Sequence, residues 1–245
     1  MAEYIELGAQ SSFSFLRSVA SPENLAEHAA HLGISAVALS DYGGLYGIPR
    51  FCRAAKASGV RPIVGASIDV EEIGRIRILA KSLQGYRNLC RLITLGHTEQ
   101  PKGHCIVTLD ALEEYAAGNQ CIAGPGLRYL SRQLIDPLLG IFGTSHFAIE
   151  ANYHLTRKSE DHLGRVQSLA EHMKVPALFT NDVLHIHAAQ KPLLDILHCI
   201  DKGCVLEKAG HGVLPNAERR LKSAREVQAI LGSQKKKLLM QTISV

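Results

Sequence analysis

Short apolar segments typical of buried β-strands alternate with segments of helical periodicity along almost the whole chain. Because a helix usually returns the chain to the same end of a sheet, this alternation predicts parallel strands. About seven such units fit a closed or nearly closed β/α barrel, and the alternative is an open, doubly wound sheet. The predicted strands are 5–7, 35–39, 62–70, 75–80, 120–123, 146–151 and 177–180, and the predicted helices are 22–32, 46–57, 86–95, 110–117, 127–134, 158–173 and 188–200.

The turn after the first predicted strand helps to separate these two architectures. Its sequence is Gly8-Ala9-Gln10, and it lacks the GxGxxG pattern of dinucleotide-binding doubly wound sheets. The helix that follows has clear end signals, because Ser21 is a good N-cap, Pro22 suits the first turn and Gly33 stops the helix. The sequence therefore favours the barrel.

The composition is that of a packed globular protein. The chain has 245 residues, of which 46% are hydrophobic and 20% charged, and a chain of this size buries a core without disulfides. Its six cysteines are scattered with no CxxC pair, and no signal peptide is recognised, so we expect free thiols in a reducing cytoplasm. No membrane span is expected, because no apolar stretch of about 18 residues occurs. The net charge of +4 is too small to indicate nucleic-acid binding by itself.

A change in composition near Gly203 divides the chain into two predicted regions. Residues 4–202 contain the strand and helix units and form the predicted barrel. Residues 203–245 contain a glycine-rich loop, a helix capped by Ser223 and a tail with Lys235-Lys236-Lys237. We expect this extension to leave the domain and the lysine run to be solvated.

Candidate functional positions follow from the barrel architecture. In a parallel barrel, ligand-facing side chains lie at the carboxyl ends of the strands and in the loops that follow. A hydrolytic metal centre needs several His, Asp or Glu ligands there, often in His-x-His or Asp-x-His spacing, because alternate residues of a strand face the same side. This chain supplies few of them. The segments at these positions are 8–10, 40–42, 65–67, 150–154 and 180–185.

Two sequence blocks are specific enough to suggest a family. They are GYRNLCRL at 85–92 and TNDV at 180–183. With weaker matches in unbroken order from about Tyr4 to Leu231, the chain resembles the PHP (polymerase and histidinol phosphatase) domain of bacterial DNA polymerase III alpha subunits and their error-prone relatives. The two blocks favour this polymerase branch over stand-alone PHP phosphatases. The resemblance implies an α/β fold, a distorted seven-stranded β/α barrel.

The family's trinuclear metal site is the part that this sequence does not match. The family's His-x-His after the first strand is Gly8-Ala9-Gln10 here, and its Asp-His after the second strand is Asp41-Tyr42. Its Glu after the third strand is replaced near Ser67, and its closing Asp-x-His is Asp182-Val183-Leu184. A cation without enough donors stays hydrated, so we expect no bound metal. The expected vestigial pocket consists of Gln10, Asp41, Tyr42, Ser67, Glu150, His154 and Asp182.

These departures predict a degenerate PHP domain with a structural and protein-interaction role in DNA replication or repair. We do not expect catalysis by this chain alone, since the carboxylates that hold two metal ions in a polymerase would lie beyond residue 245. The resemblance implies as partners the remainder of a DNA polymerase and its proofreading exonuclease subunit. We expect a cytoplasmic monomer with at most an indirect contact to DNA.

Two alternatives stay open at the sequence level. The first is a PHP-type metal-dependent phosphoesterase or 3′–5′ exonuclease with a reduced zinc or manganese site, for which the weaker candidate ligands are Asp182, His185 and His187. The second is an accessory protein that binds DNA through a basic surface. Its candidate residues are Arg219, Arg220, Lys222 and the run Lys235-Lys236-Lys237.

Overall fold

The computed structural model describes residues 4–98 and 100–232. The strands are β1 (Glu6–Ala9), β2 (Ala36–Tyr42), β3 (Arg61–Val70), β4 (Gly74–Ala80), β5 (Ile106–Val107), β6 (Asn119–Leu127), β7 (Phe147–Ala151) and β8 (Ala177–Phe179). The helices are α1 (Pro22–His31), α2 (Ile48–Ala57), α3 (Leu83–Thr98), α4 (Leu109–Glu114), α5 (Arg132–Phe142), α6 (Arg157–Met173), α7 (Lys191–Lys202), α8 (Leu206–Ala209) and α9 (Ala224–Leu231).

Seven strands form one curled sheet in the order β1-β2-β3-β4-β6-β7-β8, and the short β5 pairs with the end of β3. The predicted distorted β/α barrel is confirmed. Gln10 follows the first strand and Val183 follows the last one. The backbone N–H of Gln10 donates to the carbonyl of Val183 at 2.9 Å. The carboxylate of Glu6 accepts a further hydrogen bond from the backbone N–H of Asn181 at 3.0 Å. These contacts join the two ends of the curled sheet.

The prediction that all strands are parallel is wrong for β4. This strand pairs antiparallel with both β3 and β6. Only the turn of residues 71–73 separates β3 from β4, and a turn this short makes a hairpin because a parallel return needs a crossover of a dozen or more residues. Glu72 and Gly74 have φ values of 60° and 106°, the left-handed backbone that such a tight reversal uses.

The predicted helix 127–134 is also wrong. Leu127 pairs with Gly74, so this segment continues β6 instead of starting a helix. The helix α5 begins only at Arg132, after the N-cap position of Ser131, and it runs to Phe142 with Pro137 inside it. Proline inside a helix loses one backbone hydrogen bond, but burial of the apolar face of α5 against the sheet offsets that loss.

The interior of the barrel is apolar at one end and polar at the other. Leu79, Ala148 and Leu178 belong to one buried interior cluster of small and aliphatic side chains. Because alternate strand residues face the same side, the residues two positions nearer the mouth of the barrel also face inward. These residues are Arg77 on β4, Glu150 on β7 and Thr180 after β8, and all three are buried. The polar residues at the mouth therefore lie next to a layer of apolar side chains inside the barrel.

Residues 203–232 pack against the barrel instead of extending away from it. The backbone N–H of Leu184 donates to Arg219 O at 2.9 Å, and the N–H of Leu221 donates to His185 O at 3.2 Å. Farther along, Val227 and Leu231 join the largest hydrophobic cluster. The boundary placed at residue 203 stays a prediction, and the lysine run at 235–237 lies outside the described residues.

Two further general features concern the cysteines and the character of the helices. All six cysteines are unpaired thiols. Across the described ranges, no helix combines the length and the apolar character needed to cross a membrane.

Candidate functional site

An arginine occupies the centre of the barrel mouth. The guanidinium of Arg77 donates from Nη1 to Glu150 Oε2 and from Nη2 to Asp182 Oδ1. Its side chain is only 8% exposed, so both ion pairs are screened little by solvent. The two carboxylates closest to the centre of the mouth are thus bound to a side-chain cation.

Arg219, from the C-terminal extension, holds the same aspartate from the other side. Its Nη2 donates to Asp182 Oδ2, and its Nε donates to the backbone carbonyl of Asp182 at 3.0 Å. Asp182 has a φ of 48°, a left-handed conformation that aspartate tolerates better than most residues. The extension therefore contributes a side chain to the site.

The charges at this centre shift one another's pKa values. Burial alone raises the pKa of Asp182, but Arg219 and Arg77 outweigh burial and hold that pKa below its usual range. Burial raises the pKa of Glu150, and Arg77 opposes this shift without reversing it. For Arg77, burial favours the neutral form, yet Glu150 and Asp182 raise its pKa above the ordinary value. We conclude that Arg77 and Asp182 are a charged pair at neutral pH.

Gly8 stands where the family carries its first histidine, and the space beside it is filled. A Cβ at this position would lie 2.9 Å from Thr180 Oγ1 and 3.2 Å from Glu6 Oε1. Thr180 Oγ1 in turn donates to Glu150 Oε1. The hydroxyl of Thr180 thus occupies the volume into which a side chain at position 8 would project.

Asp41 is a buried acceptor within a loop. Its Oδ1 accepts from the backbone N–H of Ser11 at 2.6 Å and from Ser14 Oγ at 2.7 Å, and its Oδ2 accepts from Ser11 Oγ at 2.7 Å. Burial raises the pKa of Asp41, although the hydrogen bonds from Ser11 and Ser14 oppose the shift. This arrangement orders the loop after β1.

Tyr42 lies between charged groups at the rim of the barrel. Its hydroxyl donates to Asp69 Oδ2 at 2.7 Å. The guanidinium carbons of Arg17 and Arg75 lie 4.2 and 4.3 Å from the centre of its ring, within the range of cation–π attraction. Arg75 also pairs with Asp69 at 3.0 Å. Tyr42 therefore stabilises two neighbouring cations of the rim.

The structure brings together four of the predicted pocket residues. Gln10, Ser67, Glu150 and Asp182 line a cavity of about 230 Å³, together with Arg75, Arg77 and Arg219. Asp41 and Tyr42 are not part of this lining, and His154 lines a neighbouring cavity. Ser67 Oγ donates to the backbone carbonyl of Ser40 at 3.0 Å. The shared cavity is therefore smaller than the predicted pocket and more cationic.

The alternative ligands Asp182, His185 and His187 are not gathered into one group. Asp182 is bound to the two arginines, and the Nδ1 of His185 bonds the backbone carbonyl of His187 at 3.0 Å. The ring of His187 instead lies 4.5 Å from the ring of His28. Within the described residues, no three His, Cys, Asp or Glu side chains are placed to hold a metal ion.

The basic residues proposed for DNA binding are also engaged in the fold. Arg220 pairs with Glu226 at 2.7 Å, and Lys222 is fully buried, pairs with Glu218 at 3.1 Å and donates to Asn181 Oδ1 at 3.0 Å. Together with Arg219 they stabilise the extension against the barrel, so the prediction that these three side chains form an open DNA-binding surface is wrong. The lysine tail lies outside the described residues.

Sequence reasoning missed three cations of the site, Arg17, Arg75 and Arg77, and it assigned Arg219 to DNA binding instead of to the pairing with Asp182. A signal for two of them was present, because Arg75-Ile76-Arg77-Ile78 alternates charged and apolar residues on a strand. The apolar positions Ile76 and Ile78 pack in the outer core, so the arginines face the interior.

The curled sheet with its surrounding helices and its charged mouth places the chain in the class of distorted β/α barrels. The chain belongs to the PHP domain family, whose model matches residues 6–154. The resemblance inferred from the sequence blocks is confirmed.

Similar proteins place the chain near the polymerase members of the family. It is 35% identical over 238 residues to an error-prone DNA polymerase of Anaeromyxobacter dehalogenans, and the match covers 91% of this chain and 21% of that protein. It is 32% identical over 253 residues to the error-prone DNA polymerase of Pseudomonas aeruginosa, with 100% and 23% covered. The chain therefore spans about a fifth of the length of these relatives.

Solved structures support the fold. A candidate metal-dependent phosphoesterase from Bifidobacterium adolescentis has a TM-score of 0.55 at 14% identity, with 94% of this chain and 96% of that chain covered. A two-domain protein from Bacteroides vulgatus, described as containing a predicted PHP-like metal-dependent phosphoesterase, has a TM-score of 0.54 at 14% identity, with 89% and 63% covered. At this identity the likeness concerns the fold alone.

The residues of this chain do not fit the metal centre that the family implies. Glycine, glutamine, tyrosine, serine and leucine stand at five expected ligand positions, and the two central carboxylates are bound by guanidinium groups. A catalytic zinc ion needs about three His, Cys or carboxylate donors, and manganese needs several oxygen donors. The five positions are Gly8, Gln10, Tyr42, Ser67 and Leu184.

Proposed function

We propose that this chain is a non-catalytic PHP module of an error-prone-type DNA polymerase, acting in DNA replication or repair as a structural and protein-interaction domain. The observation that carries the proposal is Arg77, whose guanidinium bridges Glu150 and Asp182 at the centre of the barrel. A side-chain cation here takes the place that a metal ion would need.

The electrostatic argument is direct. A guanidinium stays charged at every physiological pH. Two unit positive charges 4 Å apart repel by about 4 kcal/mol at an effective dielectric constant of about 20. A divalent cation held by Glu150 and Asp182 would meet this repulsion from both Arg77 and Arg219. The same argument weighs against the alternative of a phosphoesterase or exonuclease with a reduced metal site.

The interaction role is supported by an exposed apolar face on α7. Leu193, Ile196 and Ile200 recur at helical spacing and are 51%, 49% and 60% exposed. We propose that this face contacts the remainder of the polymerase, since the similar proteins are roughly five times longer than this chain. A proofreading exonuclease subunit is the second proposed partner. In this proposal the chain by itself is a cytoplasmic monomer.

Metal content tests the proposal. Elemental analysis of the purified chain is expected to find zinc and manganese far below one ion per chain. The melting temperature is expected not to change on addition of a chelator, because removing a bound ion costs stability only if one is bound. Stoichiometric metal, together with hydrolysis of a phosphodiester substrate that the chelator abolishes, would overturn the proposal.

A further inference from the structure

A second cavity adjoins the one around Arg77 beside the barrel mouth and shares Asp182 and Arg219 with it. It has a volume of about 540 Å³ and lies between the loop after β6, the first turns of α6 and residues 214–219. Four cationic side chains line it: Arg219, which pairs with Asp182, and three others, Arg128, Lys158 and Arg165. Each of these three others is exposed, and none of them forms an ion pair or a side-chain hydrogen bond with another described residue.

The acidic groups around this cavity do not balance those cations. Asp182 is the one acidic side chain among the described residues that line it. Its charge is already met by Arg77 and Arg219. The cavity therefore carries a net positive charge, and such a concave surface focuses the field and attracts anions.

A buried nitrogen at the cavity wall lacks a partner. His162 lines the cavity, its ring bonds the backbone of Glu150, and its Nε2 is buried without a hydrogen bond. Burial lowers the pKa of His162, so the ring is neutral and the free nitrogen accepts a hydrogen bond. An unsatisfied buried acceptor is costly, and a ligand hydroxyl or a protonated phosphate oxygen would satisfy it.

The cavity also carries an aromatic side chain. Tyr129 lines it next to Arg128 and is 52% exposed. An aromatic ring beside unpaired cations is the combination that holds single-stranded nucleic acid, because the ring stacks on a base while the cations meet the backbone.

We propose that this cavity binds phosphate groups, held by Arg128, Lys158 and Arg165, from free phosphate or from a single-stranded nucleic acid. The assignment goes beyond the interaction role proposed above, and it does not require that role to be correct. It also differs from DNA binding through Arg219, Arg220 and Lys222, which are engaged in the fold. Arginine and lysine are the usual partners of phosphate oxygens.

The test compares two triple variants of equal charge. The first is Arg128→Gln, Lys158→Gln, Arg165→Gln. The control is Lys56→Gln, Arg87→Gln, Arg91→Gln, which removes three exposed cations elsewhere on the surface. Because all six side chains are exposed, the melting temperature of both variants should match that of the unmodified chain, and this is checked first.

Two probes are titrated into each protein. Inorganic phosphate is followed by the nitrogen-15 signals of the His162 ring, assigned with His162→Gln. A dye-labelled single-stranded oligonucleotide is followed by anisotropy at several salt concentrations. In the first variant we expect the affinity for the oligonucleotide to fall on the order of tenfold or more and the salt slope to fall by about two, because each lost phosphate contact removes about 0.7. The control should change less than about twofold.

The outcomes separate the two sources of phosphate. If the first variant loses binding of both inorganic phosphate and the oligonucleotide, the site is supported with a nucleic-acid strand as ligand. If the first variant loses binding of inorganic phosphate but keeps binding of the oligonucleotide, the site is supported with a free phosphate as ligand. An equal loss in the control, or a His162 signal that phosphate does not move, overturns the proposal. None of these readouts depends on metal content, so failure here and failure of the proposed function are distinguishable.

Discussion

Arg77 and Asp182 are 105 residues apart in the sequence and form an ion pair at the centre of the barrel mouth. The pairing is possible because β4 runs antiparallel to its two neighbours. In this strand the early residues, not the last ones, lie at the mouth. The antiparallel strand β4 thus carries Arg77, the cation that pairs with the carboxylates of the site.

Replacing Arg77 by methionine is expected to destabilise the chain. Glu150 and Asp182 would remain buried with one cation fewer, and loss of one partner from a buried ion pair typically costs about 3–5 kcal/mol. Urea unfolding followed by circular dichroism measures this change. The control is Arg50→Met, which removes an exposed arginine paired with Glu23 and should leave the urea midpoint nearly unchanged. Equal effects of the two substitutions would show that the central pair has no special role.

Even one added methyl group at Gly8 is expected to disturb the site. A Cβ there meets Thr180 Oγ1 at 2.9 Å, and that hydroxyl is fixed by Glu150. We expect Gly8→Ala to cost about 1–3 kcal/mol in unfolding free energy, as is usual for overpacking. In contrast, Gly164→Ala, in α6 with no atom within 4 Å of the new Cβ, should stabilise the chain by about 0.5–1 kcal/mol. A tolerated alanine at position 8 would mean that the neighbouring side chains can move aside.

This crowding also changes what restoring the lost ligands would require. Histidines at positions 8 and 10 alone would add donors to a volume that Thr180 and Arg77 already fill. A metal centre would therefore need removal of Arg77 as well as new ligands.

How much the sequence could predict differs between the fold and the site. Apolar periodicity located most strands and helices, because each element buries one face along its length. It missed the reversal at β4, although the four residues between the predicted strands 62–70 and 75–80 are too few for a parallel crossover and already indicate a hairpin. The lost ligands could be predicted from the family pattern, but the arginines that replaced them could not. Arg77 lies in the middle of the antiparallel strand β4, and Arg219 reaches the barrel only because the extension folds back.

The exposed face of α7 provides a test of the interaction role. We expect Ile196→Ser with Ile200→Ser to weaken binding to the remaining part of an error-prone polymerase, supplied separately from the Pseudomonas aeruginosa relative, by tenfold or more. Burial of each isoleucine contributes about 1.5–3 kcal/mol when it is complete. The control is Leu83→Ser, which removes an exposed apolar side chain on α3, 64% exposed. Calorimetric titration gives both affinities, and a larger loss in the control would place the contact elsewhere on the surface.

Finally, His154 is expected to make stability depend on pH. Burial first, and then the nearby Arg219, lower its pKa to about 4, although Asp182 opposes the shift. Its Nε2 lies 3.0 Å from the carbonyl of Asn181, so the neutral ring donates this hydrogen bond. Between pH 6.5 and 4 the unfolded chain binds the proton and the folded chain does not. The contribution of His154 to the free energy of unfolding is therefore fully present above pH 6.5. It falls as the pH drops to 4, by about 3 kcal/mol in all.

Urea unfolding of the unmodified chain and of His154→Gln across this range should show a flatter profile for the variant. Since His104 is exposed, His104→Gln should keep the original slope, and parallel profiles for His154→Gln and the unmodified chain would contradict the prediction.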